Sequence, residues 1–399
     1  MNYAAYGAQA DTRIAELTGM NEVLKGVVLN RDKDLRARDT LIVELKARIY
    51  ALETPDPIYG PKRISDIAEL APPAGFNYVI WKWKVNTPLQ DVFSQLKDND
   101  VLVLPEDDVP YLIDTTKGFR RDARHDIAMA RTRAGIIGMG PGAVIDLGPS
   151  TFTQGPNPKG AENRNKVIEC WTAKAVIANF TMHGRDLGGV SFDAIKGAAP
   201  DIRMERLLLQ GAHRGTSAAP PNEAGGMVNH KADRMAIRRC EVDCRDPKSG
   251  KSVGSSPIML NVSNGCLIED TYVHHASVGA PTAWSLKDLW TRRLRSEYNS
   301  SGFNHELVEG VVEHQDATFI IDRKGRSSGK GSHLSMGTNR PSATYRVSVR
   351  DFDAGYESEP LKFFIQHFNG APYVKGGQKD SDITVTGLDG NSVPIFFGR

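Results

Sequence analysis

The sequence predicts an all-β body, a single-stranded parallel solenoid, with an N-terminal α-helical coiled coil ahead of it and one capping helix at its start. Three observations predict this. Residues 10–53 carry an apolar stripe at a 3.5-residue period. A strand, a short amphipathic helix and a second strand read out between 76 and 106. Further on, an inward spacing of i, i+3 and i+5 recurs in a chain rich in Gly, Asn, Asp, Ser and β-branched residues.

The stalk comes first. Counting alternately by three and four gives Ile14, Leu17, Asn21, Leu24, Val28, Arg31, Leu35, Arg38, Ile42, Leu45, Ile49 and Leu52. Such a narrow seam requires partner chains, and Asn21 at an a-type position is a register-fixing residue. Arg31 and Arg38 weaken the middle. The Ile and Leu choices leave two strands and three strands both open. Pro55, Pro57 and Pro61 then stop the helix, so 1–53 is the coiled coil and 54–75 a stiff Pro-rich linker.

The cap occupies 76–119. "FNYVIWKWKV" (Phe76–Val85) alternates as a strand does. Thr87 is the expected N-cap with Pro88 at the first helical position, and Leu89, Val92, Phe93 and Leu96 form one apolar face. "DVLVLPE" (Asp100–Glu106) is a short buried strand. This order suits the covering of a solenoid's open apolar end.

The body is assigned to 120–354. Its inward triplets are Ile177/Phe180/Met182, Met204/Leu207/Leu209, Ile237/Cys240/Val242 and Ile268/Thr271/Val273. Weaker copies are Leu289/Arg292/Leu294, Val312/Gln315/Ala317 and Val349/Phe352/Ala354. A bend at i+1 and i+2 resets the two-residue alternation of a strand and puts all three on one side. Gly- and Pro-rich stretches at 148–165, 213–226, 245–257 and 325–337 read as loops. The last of these fails as a phosphate loop, because it does not satisfy G-x-x-x-x-G-K-[ST]. Residues 355–399 are a C-terminal β cap.

Composition narrows the function. The chain has 399 residues, 50 basic and 48 acidic, for a net charge of +2. This is no basic field for nucleic acid. No apolar run of membrane-spanning length occurs and no signal peptide is visible, so neither membrane insertion nor secretion is expected. Cys170, Cys240, Cys244 and Cys266 lack metal-ligand spacing and read as reduced thiols, some of them packed inside. No metal and no cofactor is expected.

One stretch is dense in acid–base groups: "RSEYNSSGFNHELVEGVVEHQD", Arg295–Asp316. On the spacing above it forms the turn between two passes. Its carboxylates and imidazoles allow an acid–base site, and Glu297 and Glu306 are the candidate pair, with His305 and Tyr298 beside them. Polysaccharide-cleaving solenoids use two carboxylates whose separation sets the stereochemistry. The competing reading is a solvated polar face, in which Tyr298, Asn304, His274 and His275 contact a glycan without cleaving it, or Asn304 and Thr271 simply stack in ladders. His274 and His275 are read as surface residues.

"DVLVLPEDDVPYLIDTTKGF" (Asp100–Phe119), "RAGIIGMGPGAVI" (Arg133–Ile145) and "SEYNSSGFNHELVEGVVEHQDATF" (Ser296–Phe319) resemble the β-helical minor tail proteins of phages that infect actinobacteria. The resemblance spans roughly 75–350. More loosely, the body looks like the pectate-lyase type of right-handed parallel β-helix. The resemblance implies a homotrimeric virion protein at the tail tip, assembled in the host cytoplasm. It would join other tail or baseplate proteins through its N-terminal stalk and contact an envelope glycan or surface receptor. No catalytic residues carry over from it. The alternative is a tail-borne polysaccharide hydrolase or lyase using groove carboxylates.

Overall fold

The computed structural model describes residues 19–21, 59–84, 86–114, 119–121, 126–147, 165–183, 192–211, 214–218, 232–245, 250, 252, 256–276, 279–321, 333–337, 343–354, 362–366 and 382–398. The chain divides into two compact units, Met1–Pro57 and Ile58–Arg399. Of the first unit, residues 19–21 are helical and exposed, Asn21 among them. The other heptad positions, Ile14, Leu17, Leu24, Val28, Leu35, Ile42, Leu45, Ile49 and Leu52, lie outside the described residues.

The second unit is all-β. It holds an 18-stranded sheet, parallel in its pairings, and an 11-stranded sheet. The smaller sheet is parallel from Asp126–Thr132 onward, with Phe119–Arg121 antiparallel at its start. Each strand pairs with strands one pass of the chain earlier and later, an arrangement compatible with a parallel β-helix or solenoid. One paired column runs Val79, Leu102, Ile136, Ile177, Met204, Ile237, Ile268, Thr291, His314, Val347 and Ile383. The ladder therefore runs through both terminal segments read as caps. From Leu102 to Val347 every member of the column is buried, so successive passes build one continuous core.

The bend between the paired strands has a fixed backbone solution. Two residues after the column position, Asn179, Arg206, Arg239, Asp270, Arg293 and Asp316 all take a left-handed conformation, with φ between 46° and 63°. That residue breaks the alternation, so positions i, i+3 and i+5 face inward together. Ile177, Phe180 and Met182 are fully or almost fully buried, as are Ile268, Thr271 and Val273.

All three weaker triplets start off the column; the last, Val349/Phe352/Ala354, is nonetheless buried throughout, with Val347 at the column position. The ladder pairs Ile268 with Thr291 and Thr291 with His314. The inward sets are therefore Thr291/Leu294/Ser296 and His314/Ala317/Phe319, all buried, and Arg292 is exposed. The expected sets chose the nearest aliphatic residue, whereas the core here accepts Thr, Ser and His. Two stretches read as loops contain strands of the smaller sheet, Arg214–Ala218 and Leu334–Gly337. Their polar, Gly-rich composition hid ladder hydrogen bonds, which the backbone alone supplies.

At the start of the body, Asn77–Ile80 and Asp100–Leu104 pair in parallel and flank a helix, α1 (Leu89–Gln95). The N-cap of α1 is Pro88, not Thr87. Pro88 is extended at ψ 139° and its carbonyl accepts from Asp91 and Val92. Leu89, Val92 and Phe93 are buried in the main core. The described part of the Pro-rich segment is a docked strap rather than a free linker. Gly60 N–H donates to Arg239 O, Lys62 N–H to Asn179 Oδ1, and Ile64 N–H to Met139 O. Asn179 returns two bonds from Nδ2, to Lys62 O and Gly138 O.

Candidate functional site

Three consecutive parallel strands build the densest array of chemistry-bearing side chains among the described residues. They are Glu241–Asp243, Tyr272–His274 and Arg295–Asn299. Register sets Glu241 beside Tyr272 and Tyr272 beside Arg295. It also sets Asp243 beside His274 and His274 beside Glu297. Val242, Val273 and Ser296 alternate with these and are buried on the opposite face.

The array is internally bonded. The Tyr272 hydroxyl donates to Glu297 Oε2 at 3.0 Å, and Arg295 Nε donates to Glu297 Oε1. Arg245 grips both oxygens of Asp243 at 2.8–3.1 Å, and its own N–H adds a bond at 3.0 Å. His274 Nε2 stands 3.2 Å from Glu241 Oε1, and His274 Nδ1 stands 2.6 Å from His275 Nδ1 and 3.6 Å from Asp243 Oδ1. Tyr272 stacks on His274 with ring centroids 4.2 Å apart, Tyr298 stacks on His275 at 5.0 Å, and Tyr59 of the strap meets Tyr272 at 5.7 Å. Burial raises the Tyr272 hydroxyl, and the Glu297 carboxylate raises it further. Burial pushes the Asp243 carboxyl up, but the Arg245 hydrogen bonds and charge together with the neighbouring His274 outweigh it and hold it below the usual range.

The acid–base stretch Arg295–Asp316 is not a turn. It is three strands, Arg295–Asn299, Phe303–Glu306 and Glu309–Ile321, because its polar residues take ladder positions. Glu297 and Glu306 fall in different sheets. Glu297 is only 3% exposed and fully engaged, while Glu306 is half-buried beside Trp284. Asn304 and Tyr298 are half-buried. His274 is buried rather than a surface residue, since Tyr272 covers it. His275 is half-buried.

His305 is wholly buried, in a second cluster inside the body. Thr291 Oγ1 and His314 Nδ1 lie 2.7 Å apart, and His314 Nε2 and His305 Nε2 lie 2.9 Å apart. Phe303, Phe319 and Tyr345 surround the two imidazoles. Burial, and then the neighbouring His305, push His314 well below the usual imidazole range. The four cysteines are free and buried; burial pushes Cys240 and Cys266 up to about 12, which makes them inert as thiolates.

Glu241, Asp243, Arg245, Tyr272 and Arg295 escaped the sequence reading, although a signal for four of them exists. The two outward columns lie at i+4 and i+6 of the same repeat: Glu241, Tyr272 and Arg295, then Asp243, His274 and Glu297. Compared with models of known protein families and with curated proteins, the chain matches none.

Proposed function

We propose that the chain is a non-enzymatic structural and attachment protein of a phage tail. In this reading a right-handed parallel β-helix presents its outer columns and loops to a host envelope glycan or surface receptor. Residues 1–53 form a trimeric coiled-coil stalk that joins the body to other tail proteins, and the helix α1 covers the first pass. The resemblance of 100–119, 133–145 and 296–319 to β-helical minor tail proteins supplies the biological context.

The observation that carries the non-enzymatic part is the state of the candidate carboxylates. A retaining or inverting glycosidase needs two carboxylates about 5–9.5 Å apart, facing one cleft. Glu297 is instead buried against Arg295 and Tyr272, and Glu306 belongs to the other sheet. A cationic partner and a phenol on one carboxylate suit a structural ion pair.

Light scattering on the purified full chain tests the assembly, with an expected mass three times the 43.7 kDa of one chain. Incubation with purified actinobacterial envelope polysaccharide tests the activity, with retention of the protein on the glycan and no oligosaccharide release expected. A monomeric mass overturns the stalk assignment. Steady release that disappears in Glu297→Gln overturns the non-enzymatic reading in favour of the tail-borne hydrolase or lyase.

A further inference from the structure

The outward array holds three convergent donor atoms. Asp243, His274 and His275 each offer one donor atom, a carboxylate oxygen or a ring nitrogen, and the three lie within 4.8 Å of one another. We propose that Asp243, His274 and His275 form a three-ligand site for a divalent transition-metal ion, with Zn²⁺ as the preferred occupant.

The first argument is donor geometry. Zinc takes imidazole nitrogen at about 2.0–2.1 Å and carboxylate oxygen at about 2.0–2.2 Å. Donors around a tetrahedral ion at those distances stand about 3.3 Å apart. The two separations at His274 Nδ1, 2.6 Å to His275 Nδ1 and 3.6 Å to Asp243 Oδ1, bracket that value. The rings part by a fraction of an ångström to admit the ion.

The second argument is the tautomer. The Glu241 carboxylate accepts hydrogen bonds and, when ionised, donates none, so the proton of neutral His274 belongs on Nε2, 3.2 Å from Glu241 Oε1. This leaves the lone pair of His274 on Nδ1, directed at His275 and Asp243. A carboxylate behind a ligating imidazole is the usual outer support of a zinc-bound histidine. With His274 Nδ1 as acceptor, the proton between the rings sits on His275 Nδ1. Metal binding at His275 Nδ1 moves this proton to Nε2 of the same ring, a change of tautomer with no net proton release.

The third argument is preorganisation. Parallel register fixes Asp243 opposite His274. His275 follows in the left-handed region at φ 61°, and its N–H donates to Glu297 O at 3.1 Å. Tyr272 and Tyr298 each stack on one of the two rings. Glu241, Asp243 and Glu297 face Arg245 and Arg295 across the array, leaving one net negative charge with both histidines neutral. Arg245 orients Asp243 and also moderates the affinity. Two imidazoles select against Mg²⁺ and Ca²⁺, which take oxygen ligands. Three protein ligands leave a fourth position for water.

The test uses the untagged full chain stripped with EDTA. Calorimetric titration with ZnCl₂ is expected to give one ion per chain at micromolar affinity or tighter. Co²⁺ should produce the strong visible absorption of a tetrahedral site. Asp243→Asn and His275→Asn should each weaken binding at least a hundredfold, and Glu241→Gln about ten- to a hundredfold. Asn tolerates the left-handed backbone at 275, so the metal-free melting temperature of His275→Asn should stay within a few degrees of the parent. Absence of stoichiometric uptake, undiminished uptake in a folded His275→Asn, or equal binding of Mg²⁺ or Ca²⁺ overturns the site.

Discussion

At the scale of single residues, the body departs from an apolar solenoid at Thr291, His314 and His305. A column otherwise filled by Ile, Leu, Met and Val accepts the Thr291 hydroxyl and the His314 imidazole because each finds a hydrogen-bonding partner inside, the second being His305 of the smaller sheet. His314 is held well below its ordinary value in the folded chain, so the unfolded chain binds more protons at mildly acid pH. The stability this contributes is fully present above about pH 6.5, the unfolded value, and is lost as pH falls toward the folded one. Urea midpoints at pH 7.5 and pH 5 should show the loss, and His314→Leu should flatten the difference. A pH-independent midpoint in the parent would remove His314 from the acid response. At the neighbouring array, Arg295→Met should cost about 3–5 kcal/mol by leaving Glu297 buried without its cation. Chemical denaturation measures this, and Glu297→Gln in the same background should recover part of it.

At the scale of elements, the left-handed bend recurs in pass after pass with different residues. Asn179 and Asp270 suit that conformation, whereas Arg206, Arg239 and Arg293 adopt it at a cost. The cost is shared with an ion ladder outside the bend. Arg239 reaches Glu205 at 3.6 Å, Arg238 reaches Glu269 at 3.3 Å, and Arg292 reaches Glu269 at 3.7 Å. These pairs are half exposed, so each contributes little. Packing between passes is far less forgiving. A Cβ on Gly138 would lie 2.3 Å from Asn179 O and 2.8 Å from both Ala143 Cβ and Phe180 Cβ. Gly138→Ala should therefore destabilise by about 1–3 kcal/mol, seen as a lower melting temperature. An unchanged melt would mean that the passes yield at this point.

At the scale of the whole molecule, the chain divides into two units near Pro57. The β unit has a continuous core from Leu89 to Val393. The first unit carries the heptad seam, broken by Asn21, Arg31 and Arg38. Calorimetry of the full chain should show two transitions, the first rising with protein concentration as an associating stalk requires. One concentration-independent transition would contradict an associating first unit.

The sequence by itself determined the fold class of the body. The i, i+3, i+5 spacing reports an inward face interrupted by a bend, and that periodicity is a local property of the chain. Ile177/Phe180/Met182 and Ile268/Thr271/Val273 were legible for that reason. Tertiary structure alone decided which residues meet across passes. Asp243, His274 and Glu297 lie 31 and 23 residues apart in the chain, yet occupy adjacent rungs of one ladder. Loop length between passes is free to vary, so local spacing does not encode that register. It is fixed instead by backbone hydrogen bonds and by the requirement that every inward column close on the same core.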